Sequence, residues 1–172
     1  SGLVMLGATA TKLIKETKSS SYVCDLLKWY QIMEAYENGG HAYHSTMPTD
    51  SLAKFRDTLI ETETYGFEKT RQEQIDLGQN VRQLLESKGF KSVAAEGFQS
   101  PSVVVSYTND PDIKSGKVFM KQGLQIAAGV PLECDEGENF MTFRIGLFGL
   151  DKLHNLERTV QNLKKALDAI KP

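Results

Sequence analysis

Leu153, Leu156, Val160, Leu163, Leu167 and Ile170 follow one another at intervals of three and four. That spacing puts them on one face of a helix at the C-terminal end, with Asp151 as its expected N-cap after Gly149. A second helix is predicted over residues 24–37, where Leu26, Leu27, Tyr30, Met33 and Ala35 repeat mostly three and four apart. Asn38-Gly39-Gly40 stops it, because glycine accepts the left-handed conformation at a helix end. Residues 41–49 read as a loop, since Pro48 disfavours helix at Met47. Thr49, Asp50 and Ser51 are all suitable N-caps for the next helix, which carries Leu52, Phe55, Leu59 and Ile60 on one face. Tyr65-Gly66 interrupts it. A further helix is expected from about Glu68 to Lys88, with Ile75, Val81, Leu84 and Leu85 inward and Gly89 just past its end.

The period then changes. Residues 90–95 and 103–107 are strand-like, the second strongly so because of Val103, Val104 and Val105. Asn109-Asp110-Pro111-Asp112 is a turn that opens a helix through about Gln122. A short strand falls within residues 123–132, an acidic turn within 133–139, and a strand over 142–147. Residues 3–6 are a short apolar run and read as a buried strand. From Ser51 on, the order is helix, helix, strand, strand, helix, strand, strand, helix. The predicted fold class is α/β, with the α+β character of a small domain: a mostly antiparallel sheet with helices packed on it. Residues 1–50 stand outside that unit, so the organisation reads as 1–50 and 51–172.

Composition narrows the function classes. The 172 residues suit one domain, or one domain and part of another. Lys and Arg number 20 and Asp and Glu 22, for a net charge of −2. Residues 1–50 hold four positive and five negative groups, and residues 51–172 hold sixteen and seventeen. Neither half is a basic arm, which argues against a general nucleic-acid binder. No apolar run approaches the roughly 20 residues of a membrane span. Residues 3–6 have no basic residue before them, against a secretory leader. Cys24 and Cys134 lie far apart, form no disulfide framework and have no metal-ligand spacing, so a reduced, cytoplasmic setting is the expectation. The chain begins Ser1-Gly2 and enters directly on what reads as a strand, as a piece of a longer protein would; a tag scar gives the same start.

Two places invite chemistry. Arg144 sits mid-strand between Phe143 and Ile145, and its guanidinium fork suits a carboxylate. An exposed strand face or an internal ion pair accounts for the same pattern. The loop Tyr43-His44-Ser45-Thr46 gathers hydroxyls that suit a phosphate, or that serve turn and cap chemistry. His41 and His44 form an H-x-x-H pair without an evident third ligand, so no metal is expected. Cys24 reads as a small buried hydrophobe and Trp29 as a core or interface anchor. Glu133, Asp135, Glu136 and Glu138 lack calcium-loop spacing and read as a solvated turn.

The strings GGHAYHSTMPTDSLAKFRDTLIET, SVAAEGFQSPSVVVSYTNDP and FRIGLFGLDKL, in that order, resemble the C-terminal part of class V pyridoxal-phosphate aminotransferases. The branch most similar is that of the alanine–glyoxylate, serine–glyoxylate and serine–pyruvate enzymes. The resemblance implies the type I aminotransferase fold, with residues 1–50 as the tail of the large cofactor domain and 51–172 as the small domain. It implies that Tyr43 and Thr46, in the Y-x-x-T pattern, reach the phosphate of pyridoxal 5′-phosphate in the partner subunit. It implies that Arg144, in the R-I-G strand, binds the substrate carboxylate, and that the protein is a homodimer. The substrates implied are a small amino acid, alanine or serine, and a small 2-oxo acid, glyoxylate or pyruvate.

The family's catalytic lysine lies shortly before the segment matched by residues 3–6. Lys12 and Lys28 match nothing catalytic. The expectation is a C-terminal fragment, with no catalytic residue of its own and inactive alone. A stand-alone, non-catalytic α/β module for binding or association is the alternative. The related desulfurases need a reactive cysteine in a motif that neither Cys24 nor Cys134 matches.

Overall fold

Three consecutive valines form the strand that their β-branching predicts. In the computed structural model, which describes residues 2–170, β1 (Val103–Tyr107) pairs antiparallel with β3 (Thr142–Gly146). Val104 faces Ile145 and Ser106 faces Phe143 across that pair. β2 (Ala127–Ala128) pairs with the other edge of β3, so the sheet order is β1-β3-β2 and every pairing is antiparallel. The helices of the chain are α1 (Ala8–Glu16), α2 (Leu26–Glu37), α3 (Thr49–Tyr65), α4 (Phe67–Ser87), α5 (Pro111–Lys114), α6 (Lys117–Lys121), α7 (Leu150–His154) and α8 (Leu156–Ile170). The predicted class, an antiparallel sheet with helices packed on it, is the class observed.

Two compact units divide between Ile60 and Glu61, within α3 and later than the boundary after residue 50 read from the sequence. In the second unit, Leu77, Val81 and Leu85 of α4, Phe143 of β3 and Leu163 and Leu167 of α8 share one apolar core. Phe143 is its centre: Phe90 meets it edge-on at 5.1 Å and Phe119 lies at 5.7 Å. Side chains this completely buried each contribute on the order of 2 kcal/mol of transfer free energy. In the first unit α1 and α2 pack together, with Lys15 Nζ 4.9 Å from the Tyr30 ring centre and Ile32 buried.

Several boundaries depart from the sequence reading. Residues 3–6 form no strand. They have no sheet partner among the described residues, and Leu3, Val4 and Met5 are exposed; an apolar run becomes a strand only when another backbone takes its hydrogen bonds. Residues 90–95 make a single bridge, Ser92 to Ser106, flanked by Val93 N–H to Val105 O and Tyr107 N–H to Lys91 O. The Ser92 hydroxyl then bonds Ala94 O at 3.1 Å and curls the segment away from a full strand.

The helix expected through Gln122 is two short helices, broken at Gly116 with φ +78°. The C-terminal helix is also two, broken at Asn155, so Asp151 is not its cap. Asp151 lies in the first turn of α7 and pairs with Arg158 at 2.7 Å, while Gly149, φ +115°, precedes α7. Leu153 stays buried because the break keeps the stripe on the core side. On α4, Ile75 and Leu84 are half-buried, and Leu77, Gly78 and Arg82 join Val81 and Leu85 inside. Leu52, Phe55, Leu59 and Ile60, the apolar face of α3, are exposed.

Candidate functional site

Residues 41–48 leave α2 through Gly39, φ +77°, and enter α3 at Thr49. The loop brings Tyr43 Oη and Thr46 Oγ1 to 3.2 Å from each other. Tyr43 is 78% exposed and Thr46 is exposed too; one hydroxyl donates to the other, which leaves one O–H free to donate. His44, between them, turns the other way and is half-buried. Its Nε2 donates to Tyr22 O at 2.8 Å; a carbonyl only accepts, so the proton belongs on Nε2. The Tyr22 hydroxyl donates in return to His44 O. The two rings lie 4.3 Å apart, and Trp29 meets the imidazole edge-on at 5.4 Å while its Nε1 donates to Val23 O at 2.7 Å. Trp29 is thus a half-buried anchor of this loop. His41 is exposed, and among the described residues no three His, Cys, Asp or Glu side chains gather as metal ligands.

Arg144 is half-buried in the central strand β3, opposite Val105 on one side and Ala127 on the other. Its Nε donates to Ala128 O at 2.9 Å. Among the described residues no carboxylate pairs with it, and its terminal nitrogens make no hydrogen bond. That removes the internal ion pair as an account of this residue. The guanidinium is held at one corner, and its two terminal nitrogens are left without a hydrogen bond among the described residues.

The remaining candidates resolve differently. Cys24 is exposed, not a buried hydrophobe, because it lies in the turn before the Asp25 cap of α2. Cys134 is exposed too. In the acidic turn the Glu136 carboxylate accepts the backbone N–H groups of Cys134 at 2.8 Å, Glu133 at 2.9 Å and Leu132. Those bonds, with Cys134 first, hold its carboxyl down at about 2.

Two features escaped the sequence reading. One is the Tyr22–His44 clasp, whose partners lie 22 residues apart and share no motif. The other is Arg82, buried on α4, whose Nη2 donates to Ser100 O at 2.5 Å and whose Nη1 reaches Gly78 O at 3.4 Å. Burial lowers its pKa against the opposing charge of Glu86. Its place one position after Val81, on the inward stripe, was the available signal.

No protein-family model matches the chain, and no curated protein matches it. Among solved structures, the chain is similar to an alanine–glyoxylate aminotransferase from Nostoc sp., with a TM-score of 0.74 at 16% identity. The match covers 96% of this chain and 42% of that one, so the chain spans less than half the length of this neighbour. No helix among the described residues is long and apolar enough to cross a membrane. The fold is that of a part of an alanine–glyoxylate aminotransferase.

Proposed function

We propose that this chain is the C-terminal part of a pyridoxal-phosphate aminotransferase, class V in type, that moves an amino group from alanine or serine to glyoxylate or pyruvate. The observation that carries the reading is Arg144, anchored through Nε to Ala128 O with its outer edge free among the described residues. A fork fixed in that way binds a carboxylate through two parallel N–H···O bonds, and both the amino donor and the 2-oxo acceptor have one. Tyr43 and Thr46, two adjacent exposed hydroxyls, have the chemistry that suits a phosphate.

When bound, pyridoxal 5′-phosphate supplies the electron sink for amino-group transfer. The work of this chain is then to bind and orient. Arg144 holds the carboxylate of each substrate in turn, and Tyr43 and Thr46 donate to the phosphate held by the partner subunit of a homodimer. The cofactor-bearing lysine corresponds to no lysine here, so the 172 residues alone are proposed not to transaminate. A cytoplasmic setting belongs to the same proposal.

The test is titration of the 172-residue chain with pyridoxal 5′-phosphate, borohydride reduction and peptide mass mapping, beside an alanine–glyoxylate assay on a chain extended to include a cofactor domain. The expected result is no specifically labelled lysine in residues 1–172 and turnover in the extended protein. Stoichiometric labelling of one lysine here, with turnover, overturns the placement of that lysine elsewhere. No turnover in a folded, cofactor-loaded extended protein overturns the activity.

A further inference from the structure

The loop that carries Tyr43 and Thr46 has no helix or strand of its own. Among the described residues, two hydrogen bonds tie residues 41–46 to chain outside the loop, and both run between His44 and Tyr22. They are reciprocal: each residue gives a side-chain donor to the other's backbone carbonyl. Ring contact at 4.3 Å adds to them, and Trp29 meets the imidazole edge-on at 5.4 Å. Trp29 in turn bonds Val23 O, next to Tyr22, so both ends of the clasp rest on the start of α2.

Neighbouring side chains on an irregular backbone leave it in different directions. Fixing His44 inward therefore fixes Tyr43 outward, and the difference in exposure between them shows that split. Without the clasp, the Tyr43–Thr46 contact would have to be ordered anew by each ligand, at the entropy cost of several residues.

We propose that His44 and Tyr22 are positioning residues that hold Tyr43 and Thr46 in place as a ready pair of phosphate donors. The proposal rests on the reading of that pair as the cofactor's phosphate site. It assigns no contact between His44 or Tyr22 and the ligand. The donated proton sits on Nε2, so a glutamine, whose side-chain N–H₂ reaches a similar distance, replaces the function of His44 better than alanine does.

The experiment compares the 172-residue chain with its His44→Ala, His44→Gln and Tyr22→Phe variants by backbone NMR relaxation. Residues 42–47 of the parent are expected near the rigid-backbone order parameter of about 0.85, falling below about 0.6 in His44→Ala and part-way in Tyr22→Phe. His44→Gln restores most of the loss. Order parameters of β1, β3 and α4 stay unchanged in all four, which separates loop loosening from unfolding. Mobile residues 42–47 in the parent, an unchanged loop in His44→Ala, or identical behaviour of the Ala and Gln variants overturns the proposal.

Binding of pyridoxal 5′-phosphate to a chain extended to include a cofactor domain, read by the cofactor's own absorbance, gives the second arm. His44→Ala is expected to weaken it about tenfold, as loss of one net hydrogen bond's worth of order would. Thr46→Ala is expected to weaken it with the loop still rigid. Weakening by Thr46→Ala but not by His44→Ala overturns the positioning role. If neither Tyr43→Phe nor Thr46→Ala changes affinity in the extended protein, the phosphate reading falls, while the relaxation data still decide the clasp.

Discussion

Arg144 Nε donates to the carbonyl oxygen of Ala128 at 2.9 Å, across the β2–β3 pair. The bond gives the two-residue strand β2 a purpose that its length does not suggest. Ala127 and Ala128 bring a backbone acceptor to the corner of the guanidinium and fix the plane of its remaining N–H groups.

From this geometry Arg144→Ala, in a protein competent for amino transfer, should raise the KM of both amino donor and oxo acceptor. The loss is about 2–3 kcal/mol, or roughly 30- to 150-fold. Arg144→Lys should recover little, because one ammonium cannot keep the Ala128 bond and also grip a carboxylate at two points. Steady-state kinetics checks both. An unchanged KM in Arg144→Ala sinks the carboxylate assignment.

Gly129 follows β2 immediately, and a Cβ there would lie 1.8 Å from Thr142 O. Backbone cannot give by that much, so Gly129→Ala should cost about 3 kcal/mol or more. It should also displace Ala128 from Arg144. Gly137, where a Cβ meets nothing within 4 Å, is the control, and Gly137→Ala should change stability by under about 0.5 kcal/mol. Urea unfolding midpoints compare the two.

Glu136 carries a pH signature. Three backbone N–H groups stabilise its charged form, so its pKa falls from 4.5 to about 2 on folding. A depressed carboxyl contributes stability that is fully present above the unfolded value and is lost as pH falls through the folded one. The contribution should therefore fade between pH 4.5 and about 2. Carbon-13 titration of the Glu136 carboxyl measures it, and Glu136→Gln should flatten the acid limb of the stability curve. A titration midpoint near 4.5 would show that the turn is not closed.

Arg82 is the one described residue with a buried side-chain polar atom, Nε, that lacks a partner. Its charge is buried without a carboxylate bonded to it among the described residues. Arg82→Met keeps most of the volume and removes the charge, and should leave stability within about 1 kcal/mol of the parent. Arg82→Ala should lose about 3 kcal/mol, because it also removes the buried stem of the side chain and its packing. Equal losses in the two variants would mean that the Nη2 bond to Ser100, not the packing, is what matters.

Much of the second unit was legible in the sequence, and of the first α2, the loop after it and the start of α3 were. The valines of β1, the leucine stripe of α8 and the Gly89 end of α4 follow from rules that act within a few residues. Residues 3–6 misled, because an apolar run says that a partner is needed and not which one. Two predicted helices are each broken, at Gly116 and at Asn155; at Asn155 the apolar spacing runs on through the break and so did not reveal it.

The candidate site divides along the same line. That Arg144 is a strand arginine and that Tyr43 and Thr46 share a loop follows from the sequence itself, since both are local facts of spacing. That Arg144 is pinned by Ala128, and that a tyrosine at position 22 holds a histidine at 44, was decided only by the tertiary structure. Hydrogen bonds of that kind join residues whose separation along the chain carries no periodic signal, and only the packed backbone brings donor and acceptor within reach.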